Sequence, residues 1–258
     1  VAFKMYESYG SFSGFVDSCT FIKNKGLKMD LNVIESSVFT DNSQMLINAL
    51  TVNSSIFERN SNLVQSGSAY SGNGIVNAPT VINSTFVSNS AAYGGALYNP
   101  KSVHYSVFVN NTARYEGDDI FSYSGDVDYS GNWWGDNQKP DSSKVYLFLG
   151  TLKMDSCIIM TLESTNKTVK ASLNTLTDES GKLTPLNYII NQRMAYFSTE
   201  EGTITPNSTR LHDNEATAVM SYDGPGNFKI YAKIDNQLLD IFVKNNSTRI
   251  LMDDASFY

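Results

Sequence analysis

The stretch VINSTFVSN, residues 81–89, contains a pattern that occurs five times in the first half of the chain. An aliphatic residue is followed by a small residue three places later, by Phe two places after that, and by Asn three places further on. The five copies lie at residues 16–24, 34–42, 52–60, 81–89 and 103–111. A unit repeated every 18 to 29 residues cannot bury its own apolar side chains, so the copies must stack on one another. The pattern therefore predicts a solenoid.

The spacing inside the pattern predicts short strands that meet at an angle. The aliphatic residue and the Phe are five places apart, and a straight strand would place them on opposite faces. The chain must bend between them if both are to point inward. Helix is disfavoured because Val, Ile, Ser and Phe are frequent, and because Gly, Asn and Asp interrupt the chain often. We predict one coil of a parallel β-helix for each copy, and about six coils in all.

Equivalent positions on successive coils are expected to lie about 4.8 Å apart, which allows like side chains to stack. The Phe side chains would fill the interior, and Asn side chains at corners would pair as ladders. A structural role is thus predicted for Phe21, Phe39, Phe57, Phe86 and Phe108, and for Asn24, Asn42, Asn60, Asn89 and Asn111. A binding site formed by the Asn residues is the alternative.

The pattern changes near the end of the first half. Val127, aligned with Val103, begins the expected sixth coil, but the place of the Phe carries Asn132-Trp133-Trp134-Gly135. Two large aromatic side chains beside Gly, Trp133 and Trp134, are typical of a plug over the open end of a solenoid. Without it, the last coil would expose apolar surface and unpaired backbone. A Trp pair that stacks on sugars is the alternative.

The second half predicts a β-sandwich, because about seven alternating or apolar runs are separated by turns. These runs are Cys157–Leu162, Thr168–Leu173, Ala195–Ser198, Thr203–Thr205, Ala216–Tyr222, Phe228–Ile234 and Leu238–Val243. We therefore predict a β-helix at residues 1–145, a sandwich at 146–246, and a tail at 247–258 that is too weakly patterned to place.

Several motifs together resemble the surface adhesin-like proteins of methanogenic archaea. They are the Phe-x-x-Asn pattern, Gly94-Gly95-Ala96-Leu97-Tyr98-Asn99 and Asn132-Trp133-Trp134-Gly135. In the second half, Ile158–Leu162 and Gly202–Pro206 resemble the bacterial-type Ig-like domain found in those adhesins. The resemblance covers about residues 12–243. It implies an all-β fold, a right-handed parallel β-helix followed by an Ig-like β-sandwich, in a secreted protein at the cell surface.

The resemblance also implies a function. The chain is expected to be an adhesin fragment that attaches without covalent chemistry to glycans or proteins of other cells, with no membrane contact of its own. A structural stalk or cell-wall component is one alternative, and a β-helix polysaccharide lyase or hydrolase is another. The first residue is not Met and lies partway into a coil, which is what an excised fragment would look like.

Composition agrees with a two-domain surface protein. The chain has 258 residues, of which 41% are hydrophobic, enough for two cores. The net charge is -7 and no basic patch is visible, so nucleic-acid binding is not expected. Cys19 and Cys157 fall in different predicted domains and are predicted to be buried thiols rather than a disulfide.

Catalytic side chains are scarce. The two histidines, His104 and His212, have no Ser, Cys or carboxylate partner at a recognisable spacing, so we predict no catalytic residue and no cofactor. A lyase or hydrolase would need clustered carboxylates. Acidic residues do gather at Glu116, Asp118, Asp119, Asp126 and Asp128. A solvated loop is the expected role of this group, and a weak metal site formed by the four Asp residues is the alternative.

Aromatic residues on neighbouring coils are the candidates for ligand binding. Equivalent positions place Tyr98 beside Phe121 and Tyr105 beside Tyr129. Rings one coil apart can pack on each other or present a flat surface to sugar rings. Packing is one interpretation; if the rings are exposed, then Tyr98, Tyr105 and Tyr129 are the candidate ligand-binding residues.

Overall fold

The computed structural model describes residues 2–4, 14–62, 74–165, 167–190, 193–222 and 227–244. The chain divides into two compact units, one formed by Val1–Trp134 with Gln138–Asp155, the other by Gly135–Asn137 with Ser156–Tyr258. Its elements are β-strands, so the protein is all-β. None of the described residues forms a helix long and apolar enough to cross a lipid bilayer. The predicted tail, residues 247–258, lies outside the described residues.

The described part of the first unit contains twenty short strands. They are β1 (Ala2–Lys4), β2 (Phe15–Asp17), β3 (Thr20–Ile22), β4 (Lys28–Glu35), β5 (Val38–Thr40), β6 (Leu46–Asn53), β7 (Ile56–Glu58), β8 (Ser61–Asn62), β9 (Val76–Asn77), β10 (Thr80–Ile82), β11 (Thr85–Val87), β12 (Ser90–Ala91), β13 (Leu97–Tyr98), β14 (Ser102–His104), β15 (Val107–Val109), β16 (Thr112–Ala113), β17 (Ile120–Ser124), β18 (Val127–Asp128), β19 (Val145–Leu149) and β20 (Leu152–Lys153).

Three sheets run along the first unit. The first sheet has 12 strands, the second has five (β3, β5, β7, β11 and β15), and the third has three (β8, β12 and β16). Neighbouring strands pair in parallel, except that β1 and β2 are antiparallel. Residues 15–153 therefore form a parallel β-solenoid of about six turns, and the solenoid prediction is confirmed.

The repeated pattern sets the register between coils. Each Phe pairs with the Phe of the next coil, from Phe21 through to Phe108. The ring centroids are 4.7, 4.8, 5.0 and 5.2 Å apart, and the planes of successive rings are within 8° of parallel. All but the first of these rings are fully buried. The coils thus share one interior, in which aromatic side chains stack along the axis.

A corner separates the aliphatic residue from the Phe in each coil. The residue just before the small position has left-handed backbone, with φ of 51° at Ser18, 48° at Ser36, 49° at Ser54, 48° at Asn83 and 53° at Tyr105. This corner is the bend that the five-residue spacing required. It turns the chain from the first sheet into the second, and both apolar side chains then point inward.

The small positions form a hydrogen-bonded column along the corner. The Ser37 N–H donates to Ser55 Oγ at 3.1 Å, and the Ser55 N–H donates to Ser84 Oγ at 3.2 Å. The Ser55 hydroxyl in turn donates to the carbonyl of Asn53 at 2.8 Å. Cys19 holds the first place in the column, where its N–H donates to Ser37 Oγ at 3.1 Å. A small hydroxyl is needed here because it satisfies a buried N–H that no strand partner reaches.

The Asn side chains form a second column. Asn42 Nδ2 donates to Asn60 Oδ1 at 2.9 Å and to the carbonyl of Phe21 at 3.0 Å. The same Asn60 Oδ1 accepts a hydrogen bond from the Asn42 N–H at 3.0 Å. Equivalent bonds connect the column from Asn24 to Asn111, so the amides all point the same way. Each inner amide is fully hydrogen-bonded, which is the condition for burying it.

The strands of the first sheet are continuous in two coils and interrupted in the next two. β4 and β6 are continuous eight-residue strands, whereas in the next two coils the same path is divided into a two-residue and a three-residue strand. Pro79 and Pro100 lie at the two divisions. Pro has no N–H to donate to a neighbouring strand, so it interrupts the pairing at these points.

The sixth coil begins two residues later than predicted. The alignment of Val127 with Val103 is wrong, because Ser102 pairs with Asp128 and Tyr129 therefore follows beside Val103. The side chain of Tyr129 is fully buried and continues the column of aliphatic residues. The pattern was obscured because an aromatic residue fills a place that earlier coils give to Val or Ile.

The sixth coil then follows the earlier pattern with different residue types. Asn132 holds the small position, where its Oδ1 accepts a hydrogen bond from the Ser106 N–H at 2.8 Å. Trp134 holds the Phe position and stacks on Phe108. The indole of Trp133 is also buried. Both rings are buried, so the alternative of a sugar-stacking pair fails because neither ring is accessible.

The solenoid continues past residue 145, where we predicted its end. β19 pairs in parallel with β17, and β20 pairs in parallel with β18. The first unit accordingly extends to Asp155. The predicted end came too early because this last stretch does not contain the repeated pattern.

The described part of the second unit contains nine strands, arranged in two antiparallel sheets. They are β21 (Ser156–Thr165), β22 (Thr168–Asp178), β23 (Leu183–Pro185), β24 (Met194–Thr199), β25 (Thr203–Thr205), β26 (Ser208–Arg210), β27 (Glu215–Ser221), β28 (Asn227–Ile234) and β29 (Gln237–Lys244). One sheet has the order β21-β22-β27-β25 with β23 beside β22, and the other has the order β26-β24-β28-β29. Alternate residues along β27 and β28 are buried and contribute to the core. All seven predicted strands are present, and β23 and β26 are additional.

Candidate ligand-binding face

Aromatic side chains gather on the outer face of the first sheet, on the last coils of the solenoid. We name as the aromatic face the side chains of Tyr98, Phe121, Tyr123, Tyr146 and Phe148. They come from β13, β17 and β19, which are neighbours in the sheet. Side chains alternate along a strand, so the residues between these rings point to the interior while the rings point outward.

The rings of the aromatic face form two short columns. Tyr98 stacks on Phe121 with centroids 5.3 Å apart, and Phe121 stacks on Tyr146 at 5.6 Å; both pairs of planes lie within 11° of parallel. Tyr123 stacks on Phe148 at 5.4 Å. Stacking does not cover all of these rings, because Tyr123 and Phe148 remain exposed.

Exposure differs between the two columns. Tyr123 and Phe148 are each 53% exposed, whereas Phe121, the middle ring of the other column, is buried. Phe121 is covered partly by Tyr93, whose ring lies 5.0 Å away at an angle of 58°. Tyr115 packs against Tyr93 at 4.9 Å and is itself exposed. The face thus has a buried ring at its centre and accessible rings around it.

Of the three candidate ligand-binding tyrosines, Tyr98 lies on this face and is half-buried. Its predicted position beside Phe121 agrees with the pairing of β13 and β17. Tyr105 is also half-buried but lies at the corner between the first and second sheets, with its ring centroid 6.0 Å from that of His104. It is therefore not part of the aromatic face.

Tyr129 is fully buried inside the solenoid and cannot contact a ligand. Its hydroxyl donates to the Pro100 carbonyl at 2.9 Å and lies 2.6 Å from Ser122 Oγ. Burial raises the pKa of the Tyr129 phenol, and the hydrogen bond from Ser122 only partly opposes this. The predicted pairing of Tyr129 with Tyr105 is not present, because the sixth coil begins later than expected.

Asp119, one of the four acidic residues considered for metal binding, has a structural role instead. It is buried, and its carboxylate accepts a hydrogen bond from Asn111 Nδ2 at 2.9 Å. Asn111 is the last amide of the Asn column, so Asp119 takes the place that the next Asn would occupy. A carboxylate suits this end of the column because it accepts hydrogen bonds strongly and donates none.

The other three carboxylates have separate partners. Asp118 and Asp126 each accept a hydrogen bond from a backbone N–H, at 2.8 and 3.2 Å. Asp128 accepts from the Ser130 hydroxyl and forms an ion pair with Lys153 at 2.9 Å. Partial burial opposes ionisation, but these bonds hold the pKa of Asp128 below its usual value. Within the described ranges, no three His, Cys, Asp or Glu side chains could hold a metal ion together, so the metal-site alternative gains no support.

The two histidines make local contacts. His104 Nδ1 lies 2.8 Å from the carbonyl of Ser130, which places the ring hydrogen on that nitrogen. His212 pairs with Glu215 through backbone hydrogen bonds in a tight turn. Both cysteines are buried free thiols, as predicted.

No protein-family description, curated protein or solved structure matches this chain. Its function must therefore be argued from the chemistry of its own surface.

Sequence reasoning found Tyr98 and its neighbour Phe121 but missed the other members of the face. Tyr123, Tyr146 and Phe148 were missed because they lie in stretches without the repeated pattern. A signal was nevertheless present: β17 and β19 both carry an aromatic residue at two positions that are two residues apart. In parallel strands that pair in register, such positions coincide on one face.

Proposed function

We propose that this chain is a fragment of an extracellular, cell-surface adhesin, which attaches without covalent chemistry to glycans or proteins of other cells. The aromatic face is the observation that carries the proposal. In this proposal the fragment has no catalytic activity, needs no cofactor, and does not bind nucleic acid or a membrane.

The aromatic face suits attachment because it is both accessible and ordered. A group of exposed apolar rings on a protein surface often marks a binding site. The rings are already held by stacking, so they lose little conformational freedom when a partner binds. Tyrosine hydroxyls add hydrogen-bonding groups at the edge of an otherwise apolar surface.

The scaffold beneath the face supports the same proposal. The Phe, Ser and Asn columns connect every coil to the next, and they place the face on a rigid support. A protein that attaches cells must present its binding surface without local unfolding. Weak contacts at one such face would gain strength when many copies act together on a cell surface.

For the second unit we propose the finer assignment of an Ig-like β-sandwich that acts as a spacer. Its two antiparallel sheets, with alternate residues buried, are compatible with that fold. For the solenoid we propose a right-handed coil, because parallel strands in one sheet are nearly always connected in that hand. The resemblance of the sequence motifs to archaeal adhesin-like proteins supports both assignments.

A binding comparison tests the proposed function. The full chain would be screened against whole cells and an array of immobilised glycans, beside a variant with Tyr123→Ser and Phe148→Ser. The control carries Tyr196→Ser and Phe242→Ser, which change similarly exposed aromatic residues on the second unit. We expect the wild type and the control to bind and the first variant to lose most binding. Absence of binding by the wild type to every cell and glycan would contradict the proposal.

A structural stalk or cell-wall component is the second candidate, and the continuous columns favour it. A rod that only transmits force needs rigidity and no binding surface. If the wild type binds nothing while the folded chain withstands high denaturant concentrations, the stalk is the better assignment.

A further inference from the structure

Asn99 lies at the edge of the aromatic face and has an unusual conformation. It directly follows Tyr98 and is exposed, and its backbone is left-handed, with φ of 55°. Its Oδ1 accepts a hydrogen bond from the N–H of Tyr123 at 2.6 Å. This bond joins Asn99 to β17, the strand that carries Tyr123, one of the two most exposed rings of the face.

The hydrogen bond to Tyr123 also orients the rest of the Asn99 amide. Because a backbone N–H can only donate, the atom facing it must be the oxygen, and the amide cannot be flipped. The Nδ2 group therefore points away from this bond. Within the described ranges, this group has no hydrogen-bond acceptor. The result is a hydrogen-bond donor held in a fixed direction beside Tyr98 and Tyr123.

We propose that the aromatic face and Asn99 form a binding site for an uncharged glycan, an inference that rests on the proposed attachment function. A pyranose ring has an apolar side formed by its axial C–H groups and a polar edge formed by its hydroxyl groups. The apolar side would pack on Tyr123 and Phe148, and a hydroxyl or ring oxygen would accept a hydrogen bond from Asn99 Nδ2. A rigid ring surface beside one oriented amide meets both requirements.

The length of the face fits several sugar units. The stacked rings follow one another at 5.3 to 5.6 Å along the sheet. Farther along the same column of the sheet, Asn48 Nδ2 donates to Asp30 and Asn77 Nδ2 donates to Asn48 Oδ1, each at 2.7 Å. The surface therefore passes from aromatic to polar along the sheet, which suits a chain of sugars rather than a single one.

Charge favours a neutral glycan. The chain has a net charge of -7, and the exposed Glu116 follows Tyr115 at the side of the face. These negative charges repel polymers of acidic sugars. Two cations are nearby: the Arg114 guanidinium lies 5.4 Å from the centroid of the Tyr115 ring, in a cation–π contact, and Lys101 Nζ donates to the carbonyl of Ser124, next to Tyr123. Acidic glycans therefore belong in the test as a separate arm.

The test compares Asn99→Gly with Asn110→Gly in the full chain. Both residues are exposed and left-handed, with φ of 55° and 54°, so Gly fits either backbone without strain. Asn110 lies after β15 in the second sheet and serves as the matched control. The probes are immobilised neutral hexose and N-acetylhexosamine oligosaccharides, and acidic oligosaccharides that contain uronic acid. Titration calorimetry with the best soluble probe gives the affinity, and thermal unfolding confirms that both variants remain folded.

We expect neutral oligosaccharides to bind, Asn99→Gly to weaken that binding about tenfold, and Asn110→Gly to leave it unchanged. Binding to cells or glycans that Asn99→Gly does not affect would overturn the site and leave the attachment function in place. A preference for acidic oligosaccharides would overturn the neutral-glycan assignment. Absence of all binding by the wild type would overturn both the site and the attachment function.

Discussion

The indole of Trp134 stacks on the phenyl ring of Phe108, with centroids 4.9 Å apart and planes 18° apart. Trp134 thus extends by one ring the column that begins at Phe21. Its Nε1 is buried and has no hydrogen-bond partner among the described residues. A buried N–H without a partner costs about 1–3 kcal/mol, so the packing of the large ring must outweigh that loss.

Replacement of Trp134 by Phe tests this balance. Trp134→Phe removes the unpaired N–H and keeps a ring on Phe108, but leaves unfilled volume. We expect the free energy of unfolding to change by less than about 1.5 kcal/mol. Trp134→Ala, which removes the ring, is expected to cost about 3–5 kcal/mol. Urea unfolding measures both; equal losses in the two variants would show that stacking is not what Trp134 contributes.

The Asn column predicts a large difference between two Asn→Ala substitutions. Asn60→Ala deprives the buried Asn42 N–H of its acceptor and the Phe39 carbonyl of a donor. We expect a loss of about 3 kcal/mol in unfolding free energy. Asn48→Ala is the control, because that side chain lies on the outer face where water can replace its bonds; it should cost less than about 1 kcal/mol. Similar losses would contradict the role assigned to the column.

Two glycines with positive φ separate backbone strain from steric conflict. A Cβ on Gly94 would lie 1.9 Å from the Leu97 carbonyl oxygen, whereas a Cβ on Gly26 would have no atom within 4 Å. Both have left-handed backbone, with φ of 58° and 73°. Gly26→Ala should cost about 1–2 kcal/mol through strain alone, and Gly94→Ala about 3 kcal/mol or more. Thermal unfolding of both variants measures the two losses. A smaller loss for Gly94→Ala than for Gly26→Ala would contradict the prediction.

Cys19 is expected to accept Ser without loss. Its Sγ donates to the Asp17 carbonyl at 3.1 Å, in the place where Ser hydroxyls of later coils make the same bond. Cys19→Ser should leave the free energy of unfolding unchanged or raise it by up to about 1 kcal/mol. Ser55→Ala, by contrast, leaves the buried Ser37 N–H without an acceptor and should lower the free energy of unfolding by about 1–3 kcal/mol. Denaturant titrations of both variants give the comparison.

Tyr129 predicts a pH dependence of stability at the alkaline end. Burial raises the pKa of its phenol in the folded state, so the folded protein keeps a proton that the unfolded chain releases near pH 10. The stabilisation of the folded state by the protonated Tyr129 is complete below about pH 10, and it is lost as the pH rises above that value. Tyr129→Phe should therefore make the decline of unfolding free energy above that pH shallower. Identical declines in both proteins would contradict this assignment.

At neutral pH the same substitution has a separate cost. Tyr129→Phe removes the hydrogen bond to the Pro100 carbonyl, which should lower the free energy of unfolding by about 1 kcal/mol. The two effects are distinguished by repeating denaturant titrations at pH 7 and at several alkaline values.

Much of the solenoid could be predicted because its pattern is local. The corner, the Ser hydroxyl and the Asn amide must recur at a fixed distance from the Phe, and that distance is visible in the chain. The sixth coil was harder to predict because its residue types differ from those of the earlier coils. The spacing is kept, but the three positions are held by Tyr129, Asn132 and Trp134. The aromatic face was found only in part, because its members share a position in the sheet and no common spacing.

The chain by itself determined the coil, the columns and the two-unit organisation, since each follows from short-range spacing and from the need to satisfy buried polar groups. Asn137 is an example of a residue whose role the sequence did not determine. It follows Trp134 at the spacing of a column Asn, yet it belongs to the second unit, where it exchanges hydrogen bonds of 3.0 and 2.6 Å with Met160. Only the tertiary structure decided which amides join the column and which rings stay exposed, because both depend on neighbours that are distant in sequence.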